Sequence, residues 1–211
     1  MGKQDTNAHR DETSEGSTLT DHERPLSPNL ALFAWNFLRH PRKVGWLLPS
    51  SRFLVKEVLK EVDWDRAKVI VEYGPGVGSF TTRVLERMRP DARLIAFEIN
   101  ADFVGYLRRT IRDPRLVLVE ESATEVEQVL VRFGYERADY VISGIPFRTL
   151  SHPLRDTIVR TTHRVLRSDG GFLVYQFSDA VRPYLERVFR QVSRDIELLN
   201  ILPARLFFCA P

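Results

Sequence analysis

Val69-Ile70-Val71-Glu72-Tyr73-Gly74-Pro75-Gly76-Val77-Gly78-Ser79-Phe80 decides how the rest of the chain is read. A short apolar run ends in a carboxylate and then meets glycines at alternate positions. The run reads as a buried strand. Glycines there let the backbone turn sharply and let a ligand approach closely. A helix that starts at Ser79 offers free N–H groups at its first turn.

The same rhythm repeats outward from this stretch. Strands are expected over 68–74, 93–99, 115–121, 138–144 and 171–177. Helices are expected over 79–88, 101–111, 124–134 and 152–166, with Ser168-Asp169-Gly170-Gly171 as a turn. A helix interrupted by Pro183 follows over 180–192, then strands over 195–201 and 204–210. Alternating strands and helices with apolar strands predict a mostly parallel sheet covered on both faces. The last two strands, joined by a short link at Pro203, predict an antiparallel hairpin at one edge.

The N-terminal quarter differs. Residues 1–27 hold three basic and six acidic groups and only four apolar residues, so they read as a polar, disordered tail. The rest of the chain carries a net charge of +6, a mildly basic body that suits anionic lipid, nucleic acid or an ordinary surface. Residues 28–62 are expected to form a helical segment, and residues 63–211 the main domain. In the helical segment Leu30, Phe33, Ala34, Phe37 and Leu38 recur at helical spacing, followed by Arg39, His40, Arg42 and Lys43. Such a helix lies in a membrane interface or packs on a core. A second helix is expected from Ser50 or Ser51 to about Val62, with Phe53, Leu54, Val58, Leu59 and Val62 inward. The single cysteine, Cys209, excludes an internal disulfide and a cysteine zinc cluster. No apolar run is long enough to span a bilayer, and residues 1–27 lack a signal-peptide core. The expected location is cytoplasmic.

A dinucleotide loop, G-x-G-x-x-G, would place a small residue at Ser79. Glu72 speaks against that reading, because a carboxylate suits a cationic amino group better than a pyrophosphate. Pro75 inside the turn and the third glycine at 78 also depart from it. With these residues the chain resembles the class I S-adenosylmethionine-dependent methyltransferases, whose fold is a Rossmann-like, seven-stranded sheet. The resemblance assigns Glu72, Tyr73, Gly74, Gly76 and Gly78 to S-adenosylmethionine. It makes Glu98, followed by Ile99, the acid that takes both ribose hydroxyls, a role an NAD site would share. It sets Ser122 and Ala123 at the adenine. Ser122 with Glu125 equally reads as a capping box. Ser50 and Ser51 join the cofactor set by the same resemblance.

Ser143-Gly144-Ile145-Pro146-Phe147 resembles the N-x-P-aromatic motif of amine methyltransferases, with Gly144 where nucleobase enzymes carry asparagine. The form S-G-I-P-F is similar to the S-G-L-P motif of bacterial phospholipid N-methyltransferases. Phe37-Leu38-Arg39…Pro41-Arg42-Lys43-Val44-Gly45…Pro49-Ser50-Ser51-Arg52 resembles their N-terminal region, so the likeness spans about residues 33–210. It implies direct methyl transfer to phosphatidylethanolamine at the inner membrane surface, without a metal. Ser143, Gly144, Pro146 and Phe147 then line the reacting end. His152 is the first candidate base, with Asp156, His163, Tyr175 and Asp179 behind it. Phe147, Tyr73 and Phe80 are candidates to face the methylated ammonium. Arg148 and Arg155 are candidates for the lipid phosphate, and Tyr175 joins Arg148 on the substrate side. The competing readings are an RNA adenine N6-methyltransferase, an enzyme for a soluble amine or quinone-like molecule, and a non-catalytic cofactor-binding protein. The residues do not fix the oligomeric state.

Overall fold

The structure is a computed structural model that describes residues 52–198 and 203–211. The expectations for residues 1–51, including Ser50, Ser51 and the helix from Pro28, lie outside the described residues.

The elements run α1 (Arg52–Leu59), β1 (Val69–Tyr73), α2 (Ser79–Arg87), β2 (Arg93–Phe97), α3 (Ala101–Thr110), β3 (Leu116–Val119), α4 (Val126–Arg132), β4 (Ala138–Ser143), α5 (His152–Val165), β5 (Leu166–Gln176), α6 (Arg182–Val188), β6 (Gln191–Glu197) and β7 (Ala204–Ala210). One seven-stranded sheet has the order β3-β2-β1-β4-β5-β7-β6. The pairs β1–β2, β1–β4, β2–β3 and β4–β5 are parallel. β7 pairs antiparallel with both β5 and β6. The chain order reverses between β1 and β4, so the two strand ends at this switch point flank the crevice where ligands of open α/β sheets bind.

Each face of the sheet has its own apolar core. Tyr73, Phe97, Val141, Phe147, Val159 and Phe172 belong to one. Leu54, Leu59, Ile70, Phe80, Ile142 and Tyr175 belong to the other, which therefore includes α1. All five residues of β1 are buried, as a strand covered on both sides must be. Asp139 ties its start, accepting from the N–H groups of Lys68 and Val69 at 2.8 Å each. Arg115 closes the end of α2 by donating to the carbonyls of Leu85 at 2.7 Å and Met88 at 2.9 Å. Those carbonyls have no partner within the helix.

Four local expectations change. The Ser168–Gly171 turn lies within the span of β5. Ala138 pairs with Leu166 but Tyr140 with Gly171, so the surplus residues loop out between them. A Cβ at Gly170 would stand 2.4 Å from the Asp139 carbonyl oxygen, which explains the glycine. Pro183 does not interrupt a helix. It sits in the first turn of α6, where a missing N–H costs nothing. That helix ends at Val188, and β6 starts at Gln191 instead of 195, because ladder bonds to β7 override the local helical pattern. Phe53 is 43% exposed and does not face inward.

Candidate active site

The site starts with Glu72 at the end of β1. Its side chain is 2% exposed. One carboxylate oxygen, Oε2, accepts from Thr81 Oγ1 at 2.8 Å. The other, Oε1, is buried with no hydrogen-bond partner among the described residues. Burial pushes the carboxyl up to about 7, against the Thr81 hydrogen bond and with help from the nearby Glu98 charge.

The glycine loop follows. Gly74, Gly76 and Gly78 have φ of 70°, 55° and 85°, a region where a side chain is strained. Their surroundings separate their roles. A Cβ at Gly78 would stand 2.8 Å from Leu107 Cδ2, so this glycine lets α2 approach α3. A Cβ at Gly74 would stand 3.0 Å from Ile145 Cγ2, which sets the loop against the turn after β4. A Cβ at Gly76 would meet nothing within 4 Å. That glycine keeps its backbone open to the crevice.

Glu98, just past β2, holds the loop from the other side. Its Oε2 accepts from Gly76 N–H at 3.1 Å and its Oε1 from Asn100 N–H at 2.9 Å. Burial raises its carboxyl above the usual range, and these N–H bonds pull the other way. A carboxylate has about four acceptor positions, so capacity remains for two ribose hydroxyls. Ile99 beside it is 77% exposed, an apolar rim that a flat purine would cover. An unpartnered buried oxygen, an open glycine backbone and a bare apolar rim together fit S-adenosylmethionine, with its ammonium, ribose and adenine. Ser122 caps the turn after β3, where its Oγ accepts from Thr124 Oγ1 at 2.9 Å. Ala123 is buried beside it.

The turn after β4 forms the other wall. Gly144 N–H donates to the Tyr73 carbonyl at 2.9 Å. Gln176, buried at the end of β5, donates from Nε2 to the Ile145 carbonyl at 2.8 Å and so holds the turn. Tyr175 stacks on Phe80 with ring centres 4.4 Å apart. Its hydroxyl lies against Gly144, where an added Cβ would be 2.1 Å from it. Arg148 is exposed.

Several predicted side chains go elsewhere. The Tyr73 ring is fully buried in the core, edge-on to Phe97 and Phe172, and its hydroxyl is 3.1 Å from Thr162 Oγ1. Only its backbone serves the site. Phe147 is fully buried in the same core, so it cannot face an ammonium at the mouth. Ser143 is the register partner of Tyr73 and Val174, which places its buried Oγ, without a hydrogen-bond partner among the described residues, toward that core. Pro146 precedes the single turn that Phe147 opens. His152 is paired through Nδ1 with the Tyr184 hydroxyl. Tyr184 belongs to the core on the face opposite Tyr175, so the structure does not bring His152 and Tyr175 together. Asp156 is engaged by Arg160 and Arg187, and His163 lies edge-on to Phe189. Arg155 spends its guanidinium on the carbonyls of Leu150 and Arg148. Phe80 packs as the base of Tyr175. Thr81, Asn100 and Gln176 were not expected. The one available signal was a polar residue set in an apolar run, as Gln176 is in Gly171–Phe177.

Fold and site together describe an α/β protein whose β1–β4 switch point fits a cationic nucleoside cofactor. A family model described as a methyltransferase domain matches residues 70–170. An ornithine lipid N-methyltransferase of Singulisphaera acidiphila is 31% identical over 180 residues, covering 84% of this chain and 94% of that protein. A ribosomal RNA small subunit methyltransferase A of Mycoplasma mycoides is 24% identical over 52% of this chain and 40% of its own length. Among solved structures, a putative O-methyltransferase from Klebsiella pneumoniae superposes with a TM-score of 0.61 at 17% identity, covering 89% of this chain and 92% of that one. Human methyltransferase-like protein 13 in complex with SAH gives 0.58 at 14% identity, over 75% and 79%. The chain belongs to the class I S-adenosylmethionine-dependent methyltransferases, and S-adenosylmethionine is its cofactor.

Proposed function

We propose that this methyltransferase N-methylates the amine of a membrane-lipid headgroup, with phosphatidylethanolamine as the first acceptor and an ornithine-type lipid as the second. The observation that carries the reading is the likeness to a lipid N-methyltransferase over 94% of that protein's length. The ribosomal RNA enzyme matches over only 40% of its own length. Gly144 also leaves the turn after β4 without the amide that a nucleobase enzyme carries.

When bound, S-adenosylmethionine supplies a methyl group on a sulfonium. The chain's residues then divide the work. Glu72 takes the cofactor's ammonium at Oε1, and Glu98 accepts from the ribose. Ile99, Ser122 and Ala123 border the adenine. Arg148 offers an unburied guanidinium to the headgroup phosphate, a bidentate match in shape. The buried walls on both sides exclude water and hold the reactants close, which supplies most of the rate in a displacement that needs no covalent intermediate. On this reading the enzyme works at the cytoplasmic membrane surface. No helix among the described residues is long and apolar enough to cross a membrane, and the basic aromatic segment at 28–43 is the proposed interface.

The test is transfer of labelled methyl from S-adenosylmethionine to vesicles that contain phosphatidylethanolamine or ornithine lipid, with undermethylated ribosomal RNA in parallel. Label in the organic phase is expected. Label confined to RNA would contradict the reading. Removal of residues 1–40 is expected to weaken vesicle binding while cofactor affinity stays within about twofold. Equal vesicle binding would sink the interface proposal.

A further inference from the structure

The contact between Gly144 and Tyr175 joins two walls of the crevice. Gly144 directly follows β4, and Tyr175 comes from the neighbouring strand β5. A Cβ at 144 would stand 2.1 Å from the Tyr175 hydroxyl oxygen and 2.6 Å from Cζ. Those distances are far inside contact. The volume that any side chain at 144 would enter is already filled by the phenol. The ring cannot withdraw, because it is 8% exposed and stacked on Phe80 with planes 13° apart. Phe80 in turn lies in the first turn of α2, directly behind the glycine loop. The backbone around the pair is also fixed. Gly144 N–H is bound to the Tyr73 carbonyl, and Gln176 ties the next residue of β5 to the Ile145 carbonyl. The Gly74 Cβ position is 3.8 Å from the Gly144 carbonyl carbon. The phenol hydroxyl is thus held where the cofactor loop and the acceptor-side turn meet.

We propose that Tyr175 is the acceptor-positioning residue, its hydroxyl reaching past a side-chain-free Gly144 to accept a hydrogen bond from the substrate amine. This rests on the amine-methylation reading above. The headgroup ammonium must first release a proton to solvent. The neutral amine then needs one group to take an N–H while its lone pair points at the incoming methyl, and S-adenosylhomocysteine leaves as the C–S bond breaks. A hydroxyl can do this, since it has two acceptor lone pairs. A phenol delivered from β5 takes the space from which a β4 side chain would otherwise act. Gly144 and Tyr175 therefore form one unit, and substitution at either position disturbs the same contact.

The experiment compares wild type with Tyr175→Phe, which keeps the ring and its stack on Phe80 and removes one oxygen. Methyl transfer to phosphatidylethanolamine vesicles is measured together with S-adenosylhomocysteine affinity and Tm. A second readout is calorimetric binding of a long-chain primary amine to the enzyme loaded with S-adenosylhomocysteine, which requires no turnover. For Tyr175→Phe, kcat is expected to fall on the order of 10- to 100-fold. Amine affinity is expected to fall about tenfold. S-Adenosylhomocysteine affinity and Tm are expected to stay level, which a merely packing role for the hydroxyl would not produce alongside lost turnover. Gly144→Ala is expected to lower kcat similarly, and the double variant no further, as for residues acting as one unit. Unchanged kcat and unchanged amine affinity in Tyr175→Phe would overturn the proposal. So would a wild-type enzyme that neither binds the amine nor methylates lipid. A wild type inactive on lipid whose amine binding still depends on Tyr175 would contradict the lipid reading and support this one.

Discussion

Glu72 and Tyr73 are neighbours in β1, both deeply buried, and they point to opposite faces of the sheet. On one face the Tyr73 hydroxyl meets Thr162 and is surrounded by aromatic rings. On the other, Glu72 has one oxygen on Thr81 and one without a partner among the described residues. A buried polar group without a hydrogen bond costs stability. The unpartnered Glu72 oxygen stands at the start of the open glycine loop, and that combination fits a group held for a ligand. The Tyr73 face is packed as scaffold, and the Glu72 face is the candidate site.

The largest expected effect breaks the ligand side. Glu72→Gln removes the charge and keeps the shape. Cofactor affinity measured by calorimetry should fall ~100-fold, in line with loss of one partner of a buried ion pair. The same substitution should raise the Tm of the cofactor-free protein at pH 8. The folded carboxyl titrates at about 7 instead of 4.5, so the folded chain binds more protons than the unfolded chain between those values. Stability from this group is then fullest below pH 4.5 and falls as pH rises to about 7. Above that the ionised Glu72 is a standing cost that glutamine avoids.

Next come the glycines, which sharpen the comparison. Gly78→Ala should destabilise the fold by about 2 kcal/mol in denaturant titration, because strain at positive φ adds to a clash with Leu107. Gly76→Ala shares the strain but has open space around it. It should cost about 1 kcal/mol in stability and weaken cofactor binding more than Gly78→Ala does. The smallest effect belongs to the scaffold side. Tyr73→Phe should lower stability by roughly 1 kcal/mol and leave cofactor affinity within about twofold. Thr162 keeps its bond to the Ile158 carbonyl in that variant.

This asymmetry also explains what could be read from the residues alone. The order of strands and helices was legible because apolar runs and glycine turns mark each unit. The glycine turn was legible from its spacing, and all three glycines take positive φ with Glu98 bonded to Gly76. The hydroxyl placements were not. Which face Tyr73 or Phe147 occupies depends on strand register, and an aromatic beside a motif reads the same whether it points in or out. Gln176 and the Tyr175–Gly144 contact join segments about thirty residues apart in the chain, so no local pattern announces them. The start of β6 was missed for a similar reason, since its pairing with β7 outweighs a helical pattern that runs past Val188.

The most direct test of the central claim, that the unpartnered Glu72 oxygen serves a cationic cofactor, is titration of the wild-type protein with S-adenosylmethionine across pH 5.5 to 7.5. A carboxyl that titrates near 7 must lose its proton before it can pair with an ammonium. The account predicts that affinity rises with pH and levels off near 7, with a slope approaching tenfold per unit at the acid end. It also predicts that this dependence disappears in Glu72→Gln. An affinity that is flat over this range in the wild type, or a pH profile unchanged in Glu72→Gln, would contradict it.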